Sequence, residues 1–351
     1  SGTAPSVAIS SSVASTYSWT VGTITGGITG ASSGTGSTIS QVLTNPSSTV
    51  AGSVQYIITA TAGTGGCTTT ASVLVTVNPL PTITAANAAI CSGTAPSVAI
   101  SSSVASTYSW TVGTITGGIT GASSGTGSII SQVLTNPSAT AGSVQYIITA
   151  TAGTGGCTTT ASVLVTVNPL PTATLTAPAT CAGATTVLAP TGLSNAATFL
   201  WSTGATTSSI SVSPTVPTGY TLTITSASSP ACSITRTVWL DVKPLPTAEV
   251  TVIPSSCIGS VSQSNGQLML NKYKDSDQVA YGSPISATPT FANVPAGGIF
   301  ATGLANTAAT YTIRLKNTIT NCTNDLTATM TVTVCPCPAG YCEPATVVKT
   351  K

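Results

Sequence analysis

Residues 53–82 read SVQYIITATAGTGGCTTTASVLVTVNPLPT, and this stretch decides the fold. It contains two runs in which apolar and polar residues alternate, SVQYIITATA and ASVLVTV, separated by a glycine-rich turn with one cysteine. Alternation with a period of two, in segments rich in Val, Ile, Thr and Tyr, is typical of β-strands with one buried face. The stretch therefore predicts two strands that end at a proline-containing junction, NPLPT.

The same stretch recurs along the chain. Residues 1–82 return almost unchanged as 92–172, with Thr38 replaced by Ile129, Ser48 by Ala139 and one residue lost near Val50. A looser pattern, a Tyr that begins an alternating run and a Cys 11 or 12 positions later, extends the count to four: Tyr56–Cys67, Tyr146–Cys157, Tyr220–Cys232 and Tyr311–Cys322. Self-similarity of this kind predicts a tandem array of modules.

The fold predicted for each module is a β-sandwich. No segment shows the apolar period of a helix, and glycine- and serine-rich loops such as ITGGITGASSGTGS separate the short strands,. Proline at each junction restricts the chain and predicts a stiff, elongated rod. The predicted modules, called modules 1 to 4 below, are residues 1–80 (with a truncated start), 81–170, 171–245 and 246–334, followed by a Cys- and Pro-rich linker to a further domain at 335–351.

Charge is almost absent from the chain. Residues 1–235 contain no Asp, Glu, Lys, Arg or His, and the first charged side chain is Arg236. Acid–base catalysis, carboxylate metal sites and phosphate binding all need ionisable side chains. A net charge of +2 does not provide the clustered positive charge that binds nucleic acid,. We therefore expect no enzyme activity, no cofactor and no nucleic-acid partner, and the lack of 18 consecutive apolar residues predicts no membrane insertion.

The ten cysteines follow the modules and predict disulfides, which are typical of proteins outside the cytosol,. The first cysteine of each module is expected to pair with the cysteine that begins its last strand. This gives three pairs, Cys91–Cys157, Cys181–Cys232 and Cys257–Cys322.

Four cysteines remain after these pairs. Cys67 is expected to pair with a residue preceding Ser1, because Cys91 precedes Ser92 in the second copy; the alternative is a free, buried thiol. In CPCPAGYC, residues 335–342, a local Cys337–Cys342 bridge is expected and the pairing of Cys335 stays open. A zinc site is the alternative interpretation of these closely spaced thiols.

Two groups of side chains are candidate binding sites. Trp19, Trp110 and Trp201 lie in apolar β runs, where core packing is favoured over a role as sugar-stacking platforms,. Asp275 and Asp277 in NKYKDSDQ have the spacing that begins a calcium loop, but the further acidic ligands are missing,. A solvated loop is the simpler interpretation of the second group.

Two motifs resemble a known family. YSWTVG resembles the Y-x-W-D-F-G-D-G signature of PKD domains with its acids replaced, and VTVNPLPT after a Cys resembles the junctions of PKD-like and Ig-like repeats in large secreted proteins of Bacteroidota. The chain is similar to type IX-secreted, gliding-motility adhesins of these bacteria. The resemblance implies tandem PKD-like and Ig-like sandwiches at the bacterial cell surface. The lost acids leave no support for an ion or ligand role of that signature.

The function that follows is structural. We expect a non-catalytic stalk or filament segment of a secreted cell-surface adhesin, used in gliding motility or attachment. Its expected partners are neighbouring modules of the same longer chain and an unknown surface or glycan ligand. The alternatives are a self-assembling subunit of an extracellular filament or surface layer, and spacer modules of a secreted carbohydrate-active enzyme.

Overall fold

A computed structural model of the chain describes residues 1–274 and 277–336. Regular structure in this part of the chain is entirely β, which confirms the prediction from the alternating runs. No helix among the described residues is able to span a membrane. The chain forms two compact units: Ser1–Thr172 with Leu193–Thr198 and Ile224–Ile234, and Ala173–Gly192 with Phe199–Thr223 and the described residues from Thr235 onward. The four module boundaries stay a prediction, and the module numbers are kept for reference.

Module 1 consists of a four-stranded sheet and a short strand pair. Its strands are β1 (Val7–Ala8), β2 (Ser15–Thr25), β3 (Gly34–Thr35), β4 (Thr38–Ile39), β5 (Gly52–Ala62) and β6 (Thr68–Val77). The order in the sheet is β3-β2-β5-β6, and β1 pairs with β4. The long strands β5 and β6 are the two runs of the opening stretch, paired antiparallel from Gly52↔Val77 to Thr61↔Thr68.

Module 2 repeats this arrangement and adds strands at its beginning. Its strands are β7 (Ile83–Thr84), β8 (Ala88–Cys91), β9 (Val98–Ala99), β10 (Ser101–Ser102), β11 (Ser106–Thr116), β12 (Gly125–Thr126), β13 (Ile129–Ile130), β14 (Gly142–Ala152) and β15 (Thr158–Asn168). The main sheet has the order β12-β11-β14-β15-β8. The added strand β8 runs parallel to β15, from Val165↔Ala88 to Asn168↔Cys91.

Module 3 has shorter strands. They are β16 (Thr172–Leu175), β17 (Thr180–Cys181), β18 (Thr186–Leu188), β19 (Pro190–Ser194), β20 (Thr198–Trp201), β21 (Ile210–Val212), β22 (Thr218–Thr225), β23 (Ser233–Leu240) and β24 (Val242–Lys243). The largest sheet is β20-β22-β23, and the other strands pair as β16-β19, β17-β24 and β18-β21. Strand β17 is parallel to β24, with Cys181 opposite Lys243.

Module 4 has two larger sheets and one two-stranded pair. Its strands are β25 (Thr247–Ile253), β26 (Cys257–Ile258), β27 (Val261–Ser262), β28 (Gly266–Lys274), β29 (Gln278–Gly282), β30 (Ala292–Asn293), β31 (Ile299–Leu304), β32 (Ala309–Lys316) and β33 (Thr323–Met330). The larger sheets have the orders β25-β28-β31 and β30-β29-β32-β33, and β26 pairs with β27. Their core contains Leu268, Leu270, Val279, Ile313 and Leu315.

The core of module 2 shows why the alternating runs fold as a sandwich. Val144, Tyr146 and Ile148 on β14 are fully buried, whereas Ile147 between them is 40% exposed. They pack against Ile130 and other apolar residues of the opposite layer, namely Val98, Ile100, Ile119 and Leu134. Because successive side chains of a strand point to opposite faces, one face of each long strand is enough to fill this core.

Hydroxyl and amide groups form the side-chain hydrogen bonds inside the sandwich. The Tyr146 hydroxyl donates to Gln132 Oε1 at 3.0 Å, and Gln132 Nε2 donates to the Ser123 carbonyl at 2.7 Å. Burial raises the pKa of the Tyr146 phenol. This network ties the loop before β12 and the segment after β13 to the main sheet with no charged group, since a buried polar atom needs a hydrogen-bond partner but not a charge,.

Three of the four tryptophans are core residues. Trp19 and Trp110 are 6% exposed and Trp201 is 2% exposed. Each indole nitrogen donates to a backbone carbonyl of its own module, at Ser32, Ser123 and Thr207. The core-packing prediction is therefore confirmed, because a sugar-stacking platform requires an exposed ring. Trp239 is different: it is 72% exposed and lies over Gly219 of β22.

Glycine is required beside the buried indole of module 2. A Cβ added to Gly125 on β12 would lie 2.6 Å from Trp110 Cζ2, well inside van der Waals contact. The same close approach occurs in module 1, where a Cβ on Gly34 would lie 2.5 Å from Trp19 Cζ2. The indole ring thus lies where the Cβ of any other residue at this position of the edge strand would be.

We predict that Gly125→Ala destabilises module 2, because the indole has to leave its position to admit the new methyl group. The expected loss is about 1–3 kcal/mol, the usual effect of an overpacked core. Urea unfolding followed by tryptophan fluorescence measures it. Gly153→Ala is the matched control in the same module, since the nearest atom to its added Cβ is the Ala105 carbonyl oxygen at 3.8 Å, an ordinary van der Waals contact. Equal stability of the two variants would contradict the packing argument.

Candidate functional site: the junctions between modules

The structure pairs six cysteines, and two of the three bonds join consecutive modules. Cys91 of module 2 is bonded to Cys232 of module 3, and Cys181 of module 3 is bonded to Cys322 of module 4. Both pairs have a sequence separation of 141 and a Cα–Cα distance of 5.6 Å. The third bond, Cys257–Cys335, lies within the second compact unit.

The three predicted pairs within modules are therefore wrong. Cys91 ends β8, opposite Asn168 at the last residue of β15, whereas Cys157 immediately precedes the first residue of β15. The 11 residues of β15 extend over about 35 Å,. Disulfides need Cα atoms about 4.4–6.8 Å apart, so Cys91 and Cys157 are at opposite ends of the module and out of reach.

The same geometry corrects the other two pairs. Cys181 lies opposite Lys243 at the end of β24, whereas Cys232 comes just before β23. Cys322 comes just before β33, but Cys257 bonds to Cys335 beyond the other end of that strand. Sequence reasoning missed that the eight residues between Thr82 and Cys91 carry the chain across module 2 before the cysteine is reached.

Two described cysteines have no disulfide partner. Cys67 is exposed and Cys157 is half-buried. The Cys157 sulfur lies 3.9 Å from the amino nitrogen of Ser1. The expected partner of Cys67 precedes Ser1, so that pairing stays a prediction. The expected Cys337–Cys342 bridge and the linker beyond residue 336 lie outside the described residues.

Side-chain amides and hydroxyls reinforce the junctions. Between modules 2 and 3, Asn168 Nδ2 donates to the Ser229 carbonyl at 3.0 Å, and Asn195 Nδ2 donates to the Ala139 carbonyl at 2.8 Å. Between modules 1 and 2, Ser103 Oγ donates to the Ser48 carbonyl at 2.6 Å. The contacts are neutral, and hydrogen bonds between neutral groups do not depend on a metal ion.

A cleft of about 400 Å³ lies beside the Asn168 contact,. Its walls are small or polar residues, with no ionisable side chain among them: Ala139, Thr140, Ala141, Asn168, Pro169, Asn195, Ala196, Ala197, Ser226, Ala227 and Ser228. Hydroxyl and amide groups of this kind bind by hydrogen bonding but do not transfer protons near neutral pH.

The weak calcium candidates are not brought together as a described site. Asp275 lies outside the described residues. Asp277 accepts hydrogen bonds from the Thr318 backbone nitrogen at 2.8 Å and from the Thr318 hydroxyl. These bonds, the side-chain one above all, lower the pKa of the Asp277 carboxyl. The described residues contain no group of three His, Cys, Asp or Glu side chains able to hold a metal ion.

Other charges in modules 3 and 4 form exposed pairs. Arg314 and Asp325 face each other on β32 and β33, and Arg314 Nε and Nη2 each lie 2.6 Å from an Asp325 carboxylate oxygen. The hydrogen bond from Arg314 lowers the pKa of Asp325. Two further pairs are Lys243–Asp241 and Lys272–Glu249. Exposed pairs of this type contribute at most about 1 kcal/mol each to stability. They are surface ion pairs and do not form a reactive site.

Comparison with known proteins agrees with the fold of the first two modules. A family model described as PKD-like domain matches residues 4–81 and 88–171. The matched residues lie in modules 1 and 2, the part of the chain in which the YSWTVG and VTVNPLPT motifs imply a PKD-like fold. No curated protein matches the chain in sequence.

Several solved structures are similar to the chain, all with low identity. Immunoglobulin domains 1–5 of Sidekick-1 have 12% identity, cover 94% of this chain and 77% of that one, and give a TM-score of 0.23. A Ca2+-stabilized adhesin that helps an Antarctic bacterium bind ice has 16% identity, covers 91% and 89%, and gives a TM-score of 0.29. The insect immune protein hemolin has 13% identity, covers 92% and 93%, and gives a TM-score of 0.23. Likenesses this low carry no argument about function.

We predict that a protease digest of the non-reduced chain, analysed by mass spectrometry, contains peptides that link Cys91 to Cys232 and Cys181 to Cys322. These bonds are expected because their cysteines meet at the same junction. Peptides linking Cys91 to Cys157, or Cys181 to Cys232, would overturn the assignment of disulfides to the junctions.

We predict that Asp277 makes stability depend on pH under acidic conditions. Its pKa is lower in the folded chain than in the unfolded chain, where a carboxyl titrates near pH 4,. Its stabilising contribution is therefore present above about pH 4 and is lost as the pH falls through the lower, folded pKa. The melting temperature of the wild type should fall towards that of Asp277→Asn between pH 6 and pH 2, as measured by calorimetry.

Thr318→Val provides the second arm of this experiment. The variant keeps the carboxyl but removes its hydroxyl donor, so the pH dependence should shrink without disappearing. A wild type and an Asp277→Asn variant that respond identically to acid would show that the Thr318 hydrogen bonds contribute nothing.

Proposed function

We propose that this chain is a non-catalytic, load-bearing segment of a secreted bacterial cell-surface adhesin. The observation that carries the proposal is the pairing of cysteines between consecutive modules rather than within each one. A bond within a module stabilises that module alone. A bond between modules connects two distant points of the chain covalently, in addition to the backbone. Tension is then carried by the disulfide, and the backbone between the two bonded cysteines is not stretched.

The shortest path through backbone and disulfide bonds from one end of the chain to the other, called the covalent route below, leaves out most of the residues. Tension that reaches Cys91 crosses to Cys232, follows the backbone for 25 residues to Cys257 and crosses again to Cys335. Every residue between Cys91 and Cys232, and between Cys257 and Cys335, lies outside this route. Those segments bear no tension while the route is stretched.

The residues that do bear load are already extended. Most of the segment between Cys232 and Cys257 consists of strands β23, β24 and β25. A β-strand has a rise of about 3.3 Å per residue, close to the limit of about 3.3–3.6 Å for an extended chain. Pulling on such a segment gains little length, which is the property required of a stalk that transmits force.

The setting of this function is extracellular. Disulfides persist in oxidising compartments and are rare in the cytosol. The neutral junctions of modules 1 to 3 need no calcium, because residues 1–235 contain no carboxylate side chain. Export by the type IX system, a role in gliding or attachment, and a surface or glycan ligand are parts of this proposal that rest on the motif resemblance to adhesins of Bacteroidota.

Single-molecule stretching tests the load-bearing role. In the oxidised chain, pulled from its two ends, only residues 1–91, 232–257 and 335–351 lie on the shortest covalent route. The double variant Cys91→Ser, Cys232→Ser moves the route to the Cys181–Cys322 bond, which places module 2 under tension. We predict that the variant extends further by about 80 residues, or roughly 270 Å.

Cys67→Ser is the matched control for this measurement, since Cys67 has no disulfide in the structure and its loss should leave the extension unchanged. A reductant should lengthen the wild type further still, because all modules then unfold. Identical extension of the oxidised and reduced wild type would refute the load-bearing role.

A further inference from the structure

Trp239 on β23 lies flat against the sheet of module 3 and leaves its other face uncovered. Three consecutive atoms of its six-membered ring, Cε2, Cζ2 and Cη2, are each 3.4 Å from the position that a Cβ on Gly219 of β22 would occupy. A point equally distant from three neighbouring atoms of a regular ring lies on the axis of that ring. The indole therefore stacks face-on over Gly219, and since the side chain is 72% exposed, its second face is open to solvent.

The combination of glycine and tryptophan at this position is specific to module 3. Gly219 directly precedes Tyr220, and Trp239 comes seven positions after Cys232. The equivalent residues of the other modules are also cross-strand neighbours: Gln55 and Leu74, Gln145 and Leu164, Thr310 and Thr329. Because a glycine inside a strand packs no side chain and weakens the strand, its presence here is explained by the ring that it admits.

Threonine hydroxyls continue the surface beside the indole. The Oγ1 atoms of Thr223 and Thr235 lie 3.2 Å apart across β22 and β23. This contact and the stacking contact follow each other in opposite directions along the two strands, so the strands are antiparallel, and Thr221 and Thr237 lie between the two contacts. The distance from one contact to the other is four residues, about 13 Å. We call this surface the Trp239 face, and its residues are Gly219, Thr221, Thr223, Thr235, Thr237 and Trp239.

Several polar groups of the Trp239 face are available to a ligand. The Trp239 indole nitrogen and the hydroxyls of Thr221 and Thr237 make no hydrogen bond to any residue that the structure describes. The indole nitrogens of the three buried tryptophans, in contrast, each donate to a backbone carbonyl. The exposed ring thus has an unused donor at its edge.

The Trp239 face contains no ionisable side chain. The charged residues nearest to Trp239 in the sequence have partners elsewhere. Arg236 Nε donates to the Ala173 carbonyl at 3.0 Å, and Lys243 Nζ lies 2.6 Å from an Asp241 carboxylate oxygen. A neutral surface does not attract a charged polymer, so the ligand that complements it is uncharged.

We propose that the Trp239 face binds a neutral glycan, with one pyranose ring stacked on the indole and the next sugar units over the threonines. A pyranose whose substituents are equatorial presents C–H groups on its two faces and hydroxyl groups around its rim. The C–H face fits the flat, apolar indole. The rim hydroxyls pair with the indole N–H and with threonine hydroxyls, which both donate and accept hydrogen bonds.

Other classes of ligand fit the Trp239 face less well. A specific protein interface buries about 1,200–2,000 Å² around a desolvated apolar core, but this face has one large apolar side chain among hydroxyls. Quaternary ammonium ligands are held in cages of several aromatic rings, and the face has one ring. The glycan proposal rests on the proposed function only for the extracellular setting in which a glycan is met.

Titration of the full oxidised chain with three neutral β-linked oligosaccharides, cellohexaose, mannohexaose and xylohexaose, tests the proposal. With tryptophan labelled by ¹⁵N, the chain gives four indole N–H signals, one from each tryptophan. At millimolar sugar, the signal that Trp239→Leu removes should shift and the signals of the three buried rings should not. Leucine is the residue that modules 1 and 2 have at this position, and the variant should bind about tenfold or more weakly in calorimetry.

A matched pair of variants at Gly219 separates the flat ring from the mere presence of tryptophan. The Cβ of Gly219→Ala is in ordinary van der Waals contact with the ring, so sugar binding should be unchanged. The γ carbon of Gly219→Gln extends into the ring, which has to leave the sheet, although glutamine is the residue of modules 1 and 2. Binding to this variant should fall about tenfold, because a displaced ring loses its pre-organised position.

Three results would overturn the proposal. None of the three sugars shifts the Trp239 signal, or Trp239→Leu binds as well as the wild type, or the anionic hexagalacturonate binds more tightly than the neutral sugars. Self-association in light scattering that Trp239→Leu abolishes, without sugar binding, would identify the face as a protein interface instead. Cys91→Ser with Cys232→Ser leaves the Trp239 face unaltered, so the sugar titration and the stretching experiment succeed or fail separately.

Discussion

The constraint on which this structure depends is the distance between the two ends of a strand. A disulfide joins only cysteines whose Cα atoms are a few ångströms apart, and modules 2 and 3 each place their two cysteines at opposite ends of a strand that separates them by several times that distance,. The bond that would close either of these two modules on itself is therefore excluded. Cys91 at the end of β8 therefore forms its disulfide with Cys232 of the following module. The covalent link between the modules is a consequence of strand length.

The near-absence of charge fits this construction. A junction held by calcium or by ion pairs would depend on salt, pH and metal supply. Here the junctions of modules 1 to 3 rely on asparagine amides, serine hydroxyls and backbone carbonyls, and the Cys91–Cys232 disulfide adds a covalent connection between modules 2 and 3. Inside each sandwich, Tyr146 and Gln132 show the same chemistry, in which neutral groups satisfy one another and the core is otherwise apolar. Charges appear only from Arg236 onward, and most of those described are paired at the surface.

Much of the fold was accessible from the sequence, because a period of two is a direct consequence of strand geometry. The runs around Tyr56 and Val75 became β5 and β6, and the buried tryptophans lie in the core as their apolar neighbours indicate. The disulfides were not accessible, because the spacing of Cys91 and Cys157 is compatible with a bond at either end of a module. Only the parallel register of β8 with β15, a long-range pairing with no local sequence signal, decides between the two.

The staggered bonds also impose an order on the maturation of the chain. If the chain enters the oxidising compartment amino terminus first, Cys91 arrives before Cys157, and Cys157 arrives before Cys232,. If oxidation came first, Cys91 would be captured by the nearer thiol. Once module 2 has folded, β15 keeps the two thiols apart, and Cys91 waits as a thiol until module 3 arrives. Folding of a module thus prevents a bond between its own two cysteines. The bonds between modules form correctly only when each module folds before its cysteines are oxidised.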